Sequence, residues 1–397
     1  MSGEDVATVY KSQSDHKAQL DALLALLEQV FPSSKYLDVP RLMELVESVV
    51  GQEAGSMVVS RHFVQNVLER LSQSEISQDS VVAVYQRLLE ILQTRAISYE
   101  DQVCMIRYHL AEVYERQRRF ADAASTLTGL PVETGQKQMP VNQKMDLYLR
   151  IANLLLEDQQ YDEAEININR AVHHQTETSP ELATKFKTTM ARVLDCKRKF
   201  IEAAQKYYEV SLLPNISKEQ KDEALIRSMT CTVLASPGSQ RTQMLSILYK
   251  DERTHPLHTF GLLQKLFLDR LIKNAELIEF ERGLDVHQKE SETGQSIIRG
   301  VILEHNMTAV SMLYTTISFE TLGDLLGIGS DKAEEIVVQM ISTSRLIGTI
   351  DQIDGIVIFK GLSQLRQLDE QILTMCQQVN TVSNMIIAAH PELATSQ

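Results

Sequence analysis

Residues 111–123 read AEVYERQRRFADA, and the pattern returns as ANLLLEDQQYDEA at 152–164 and ARVLDCKRKFIEA at 191–203. The shared signature is A-x2-[Y/L]-x5-[F/Y]-x2-A. It is carried by Ala111, Tyr114, Phe120 and Ala123, then by Ala152, Leu155, Tyr161 and Ala164, then by Ala191, Leu194, Phe200 and Ala203. The copies start 41 residues apart (111 to 152) and 39 apart (152 to 191). A period in that range marks stacked helical repeats. Each copy reads as two helices packed as a hairpin. Its alanines let the two backbones approach closely, and the aromatic or Leu side chains fill the space beside that contact. Polar turns lie between, at Glu115–Arg119, Glu157–Gln160 and Asp195–Lys199. A solenoid offers a long concave surface and no built-in reaction centre. The pattern therefore points to a protein that holds others.

The small-to-small spacing resembles the tetratricopeptide repeat, with longer turns between units. Upstream, residues 16–31 read as an amphipathic helix with Leu20, Leu23, Leu24, Leu27 and Val30 on one stripe. Further helices are expected at 41–51, 60–72 and 80–93, as shorter, degenerate repeats. Gly129–Asn142 is a long Pro- and Gly-broken turn, and Pro214 and Ser236-Pro237-Gly238 mark others. The stretch Gly283–Ser296 is polar and reads as a flexible boundary.

A different module follows, over about 297–361. A helix at 297–314 places Ile298, Val301, Ile302, His305, Ala309, Leu313 and Tyr314 near one face. A strand is expected at Ile317–Phe319 and a short helix at Thr321–Leu326. Gly327 and Gly329 make a turn, and Ser330 is positioned to cap a helix from Asp331 to Ser342. That helix turns Ala333, Ile336, Val337, Met340 and Ile341 inward. Strands at 346–353 and 356–360, joined by Asp354-Gly355, read as a hairpin. This is the order of a winged helix. Its second turn helix begins Asp331-Lys332-Ala333-Glu334-Glu335, and those acids would repel phosphate. A docking module for proteins is the expectation, ahead of a nucleic-acid binder. From 363 onward, Leu365, Leu368, Ile372, Met375, Val379, Val382 and Ile386 form an unbroken heptad seam. It would pack with helices of other chains or fold back on its own domain.

The expected fold is thus α-dominated. A helical-repeat solenoid over 1–195 leads into a domain over 196–361 that ends in a winged helix with a small β-sheet. A C-terminal bundle helix follows over 362–397. Candidate subunit-interface residues are Ile317, Phe319, Leu346, Ile350, Ile358, Leu365, Leu368, Ile372, Met375, Val379, Val382 and Ile386.

Composition narrows the function. The 397 residues carry a formal net charge of −14 and no Trp, which disfavours a general nucleic-acid or anionic-membrane binder. Met1–Tyr10 is polar and acidic, unlike a signal peptide, and no apolar run approaches the ~18 residues of a membrane span. Cytosolic and nuclear residence is the expectation. Cys104, Cys196, Cys231 and Cys376 are widely spaced, without C-x-x-C, and read as free thiols. Neither H-E-x-x-H nor a phosphate loop occurs, and Gly327-Ile328-Gly329 lacks the rest of a dinucleotide fingerprint. No catalytic residue, metal site or cofactor is expected. His173-His174 reads as a solvated helix end, the His255/His258 pair lacks acidic or Cys partners, and His305 reads as a satisfied buried histidine. The basic turns Arg116-Arg118-Arg119 and Lys197-Arg198-Lys199 sit at equivalent points of their repeats and read as solvated loops, able to face an acidic partner.

Helical repeats running into a winged helix resemble the PCI domain family, which builds scaffolds of the proteasome lid, the COP-nine signalosome and translation initiation factor three. Several strings resemble its signalosome members: Glu133–Gln138, Val193–Asp195, Arg198–Gln205, Lys250–Arg253 and Ile350–Val357. The resemblance implies a non-catalytic scaffold and substrate-sensing subunit of an eight-subunit assembly. That assembly strips a ubiquitin-like modifier from cullin-RING ubiquitin ligases (deneddylation), and its zinc isopeptidase lies on another subunit. It implies other PCI subunits and the isopeptidase-bearing subunits as partners, with the ligase as substrate. The winged helix would join neighbours through sheet edges. The terminal helix would enter a shared bundle, and the repeats would reach toward the substrate. A proteasome-lid or initiation-complex scaffold is the nearest alternative.

Overall fold

A computed structural model describes residues 16–30, 38–51, 57–72, 78–132, 139–174, 178–289, 296–359 and 364–389. The described chain forms two compact units, Met1–Val193 and Leu194–Gln397. The first holds α1 (His16–Val30), α2 (Val39–Gly51), α3 (Met57–Ser72), α4 (Gln78–Gln93), α5 (Glu100–Arg116), α6 (Phe120–Thr128), α7 (Val141–Glu157), α8 (Tyr161–Val172) and most of α9 (Pro180–Cys196). The expected early helices are present: α1 ends one residue short of its expected bound, and α2, α3 and α4 begin two or three residues ahead of theirs. They pack chiefly by alternation, α1 on α3 and α2 on α4, whereas α5 packs on α6 and α7 on α8 as hairpins.

The alanines of the signature explain the hairpins. Ala111, Ala123, Ala152, Ala164, Ala191 and Ala203 are all 0% exposed. Tyr114, Leu155, Leu194 and Phe200 are buried with them, while Phe120 and Tyr161 are half-buried at their helix starts. The turns share a geometry that no glycine announces. Arg118, Gln159 and Arg198 sit in the left-handed region at φ 59°, 63° and 60°. The next N–H donates back to the signature's second position: Arg119 to Tyr114 O, Gln160 to Leu155 O and Lys199 to Leu194 O, each at 2.9 Å. The left-handed residue donates to Glu115 O, Leu156 O and Asp195 O respectively. These are Schellman closures, which satisfy carbonyls left open at a helix end. The second helix then begins at once, so the turn is short.

The second unit continues with α10 (Phe200–Ser211), α11 (Lys218–Leu234), α12 (Ser239–Lys250), a 3₁₀ turn (Glu252–Thr254), α13 (Phe260–Phe267), α14 (Asn274–Arg282) and α15 (Val286–Lys289). The polar stretch expected to be a flexible boundary therefore contains a short helix, and Gln288 within it is buried. Ser217 caps α11 by accepting from the Gln220 N–H at 3.4 Å. Arg241, buried on α12, donates to Thr232 O and Val233 O at 3.1 Å each and closes the C-terminal end of α11.

The winged module comprises α16 (Ile297–Leu313), β1 (Thr316–Ser318), α17 (Phe319–Leu326), α18 (Ser330–Ser342), β2 (Gly348–Asp351) and β3 (Ile356–Phe359), followed by α19 (Gln364–Ala389). The sheet is antiparallel in the order β1-β3-β2. Its core gathers Met307, Val310, Leu322, Val337, Val357 and Phe359. Local chemistry corrects several expectations. Phe319 opens α17 instead of ending a strand, because Ser318 accepts from the Thr321 N–H and starts the helix there. Ser330 is not a cap: Gly329 is, and the Ser330 hydroxyl donates to Asp331. Leu313 and Tyr314 are exposed, since the last turn of α16 runs past the core that Met307 and Val310 fill. The wing is a four-residue loop, 352–355, because Asp351 pairs with Ile356. Gly355 takes φ 64° within it.

Candidate functional site

The sheet positions the first set of interface candidates. On β3, Val357 and Phe359 point into the core and Ile358 points out, as the two-residue strand period requires. Ile350 is half-buried against the core. Ile317, Phe319 and Leu346 turn their side chains into the core. What β1 and β2 offer outward is backbone, since each pairs with β3 on one side. An exposed edge of this kind accepts a further strand.

The terminal helix supplies the second set. Leu368, Ile372, Met375, Val379, Val382 and Ile386 are 48–69% exposed. The Leu365 side chain lies outside those described. Six apolar positions at heptad spacing thus face solvent along one seam, a pattern that knobs-into-holes packing against another helix would bury.

Buried polar groups tie the second unit internally. Asp195 is 2% exposed, and Gln288 donates to both of its carboxylate oxygens at 3.0 and 2.9 Å. His287 lies 3.4 Å from the same carboxylate. Burial, with the Asp195 charge adding to it, pushes the Cys231 thiol pKa well above that of a free thiol. Such a cysteine is a poor nucleophile. His305 is satisfied by Arg270 O at 3.0 Å, as its place on an apolar face suggested. Burial lowers its pKa.

A cavity of about 400 Å³ lies beside Arg241, Glu304, His305, Asp269 and Arg345. Arg345 donates to Glu304 at 2.7 Å, so its lining is charge-balanced. Burial lowers the Arg241 pKa to about 10, which leaves it charged at neutral pH. Elsewhere, Arg119 pairs with Asp122 at 2.6 Å and stands over the Tyr114 ring. His174 stacks on Tyr148, and His255 meets Tyr249 O and the Phe260 ring. Among the described residues, no group of three or more His, Cys, Asp or Glu is placed to hold a metal ion. No helix among them is long and apolar enough to cross a membrane.

Two family models match the chain. The model described as PSMD12/CSN4, N-terminal, covers residues 6–219, and the PCI domain model covers 286–361. The second match takes in α15 with its buried Gln288 as well as the winged helix. COP9 signalosome complex subunit 4 of Drosophila melanogaster is 44% identical over 379 residues, spanning 95% of this chain and 92% of that protein. The Caenorhabditis elegans protein of that name is 41% identical over 408 residues, spanning 99% of each chain. The Arabidopsis thaliana one is 34% identical, spanning 96% of each. This chain belongs to the COP9 signalosome subunit 4 family. Membership in that family agrees with the string Ile350–Val357, which forms the end of β2, the wing and the start of β3. The string Glu133–Gln138 lies outside the described residues. Sequence reading missed the left-handed turn positions and the Asp195–Gln288 contact. The repeat spacing signalled the former; nothing local signalled the latter.

Proposed function

We propose that this chain is a non-catalytic scaffold and substrate-sensing subunit of a COP9 signalosome that removes a ubiquitin-like modifier from cullin-RING ligases. The observation that carries the reading is near-full-length identity to proteins named as subunit 4 of that complex. The exposed heptad seam and the sheet edges support it, because both are surfaces that assembly would cover. The isopeptidase chemistry belongs to another subunit, with a zinc site of its own. The winged helix joins other PCI subunits, the terminal helix enters a shared bundle, and the repeats reach toward the ligase. The complex works in cytoplasm and nucleus.

Gentle affinity purification of the tagged full chain, followed by mass spectrometry, tests the reading. Seven co-purifying subunits, one of them a zinc isopeptidase, are expected. Recovery of a lone monomer overturns it. Recovery of proteasome subunits instead would assign the chain to the proteasome lid.

A further inference from the structure

The apex of the β2–β3 wing carries a side chain that the fold does not use. Ile353 is 96% exposed, more than any other large apolar side chain among the described residues. Residues at hairpin tips are usually Gly, Asn, Asp or Ser, each supplying turn geometry or a local hydrogen bond. Here the turn chemistry is supplied by its neighbours, and the isoleucine adds nothing to it.

Three restraints hold the loop beneath Ile353. Asp351 Oδ1 accepts from the Ile353 N–H at 3.0 Å and from the Asp354 N–H at 3.3 Å. Gly355 takes the left-handed φ that closes the loop. Gln352 donates from Nε2 to Glu334 Oε1 at 2.7 Å and so braces the wing on α18. A β-branched side chain is stiff at χ1 as well. Ile353 is therefore displayed in a nearly fixed position, and little freedom remains to be lost on binding. The surroundings are acidic. Asp351 at the end of β2 and Asp354 in the loop flank it, and Glu334 and Glu335 stand on α18, with Lys332 the lone base between Asp331 and Glu335.

We propose that Ile353 is the anchor of a docking site on the wing, seated in an apolar socket of a partner subunit whose rim carries Lys or Arg. The inference rests on the assembly reading above and adds the chemistry of one contact. The acids of the wing and of α18 select the partner: they repel a second copy of this apex and attract a basic rim. Affinity in such contacts concentrates in a few central side chains that fill pockets on the partner.

The test uses the full chain assembled with its partner subunits. Photo-reactive p-benzoylphenylalanine in place of Ile353 should form an adduct with one partner, on a segment that combines apolar residues with Lys or Arg. Ile353→Asp should leave the melting temperature of the isolated chain unchanged and weaken recovery of that partner about tenfold or more. Ile353→Val should retain recovery, and Asp354→Lys should lower it and reduce its dependence on salt. The inference is overturned by no adduct, by an adduct on another copy of this chain or on a segment without basic residues, or by normal recovery with Ile353→Asp. If the unaltered chain recovers no partner at all, the assembly reading itself fails.

Discussion

Arg150 on α7 donates to Glu115 at the end of α5 at 2.7 Å, joining one helix pair to the next. Arg192 on α9 makes the corresponding link to Glu157 at 3.1 Å and also reaches Asn153. Both pairs span about one repeat period, so the period governs polar contacts as well as the alanines.

The Arg150–Glu115 pair is about one-third exposed on each side, so its Coulomb attraction is only partly screened. A double-mutant cycle with Arg150→Ala and Glu115→Ala should give a coupling of about 0.5–1 kcal/mol that shrinks with added salt. The more exposed Arg192–Glu157 pair should couple less. Urea denaturation of the unaltered chain, the four single variants and the two double variants measures both.

Gln159 occupies a left-handed conformation that costs a residue with a Cβ roughly 1–2 kcal/mol and costs glycine almost nothing. Gln159→Gly should therefore stabilise the first unit by about 0.5–1 kcal/mol, after the greater flexibility of the unfolded chain is deducted. Arg118→Gly should do the same, whereas Gln159→Ala should be near neutral. Thermal melting distinguishes the three.

Ala152 is fully buried where two helices meet. Ala152→Leu inserts three carbons into that contact and should cost about 1–3 kcal/mol. Ala152→Gly, which overfills nothing, should cost about 1 kcal/mol through helix propensity. A denaturant midpoint unmoved by the leucine would remove the close helix contact from the account.

Burial lowers the pKa of His305, outweighing the Arg270 carbonyl and Asp269, which raise it; Arg241 lowers it further. The unfolded chain takes up this proton near pH 6.5, and the folded chain takes it only at lower pH. The contribution of His305 to stability is thus fully present above about pH 6.5 and lost as pH falls through the window below it. His305→Gln keeps a donor for Arg270 O and removes the titration. Melting between pH 7 and 5 should fall less steeply in that variant than in the unaltered chain.

The α19 seam is exposed. Deleting residues 363–397 should accordingly leave the melting temperature of the rest unchanged while abolishing assembly. Circular dichroism and size-exclusion chromatography with the partner subunits report the two effects. Unfolding of the truncated chain would place the helix in its own core.

What the sequence made legible is what periodicity controls. Six alanines at fixed offsets gave the packed hairpins, and the order of apolar runs gave the winged helix. Boundaries were less legible because single side chains decide them. Ser318 rather than the strand propensity of Phe319 sets the start of α17, and Gly329 displaces Ser330 as the cap. Ile317, Phe319 and Leu346 all turn into the core of the module, Ile317 from β1, Phe319 from the first turn of α17 and Leu346 from the segment ahead of β2. The short helix α15 was hidden by composition: Val286 is its one apolar residue, and that residue is exposed, while the docking is done by a glutamine.

The bond from Gln288 to Asp195 joins positions 93 residues apart. During synthesis at roughly 5–20 residues per second, the Asp195 carboxylate leaves the ribosome roughly 5–20 s ahead of the amide that satisfies it. Over that interval the end of α9 has no buried place to occupy. The first unit can be complete while the second is still waiting for α15, and the winged helix, made after it, finds its foundation closed only moments before it folds. A nascent chain halted before residue 288 should therefore display a finished arm and an open second unit.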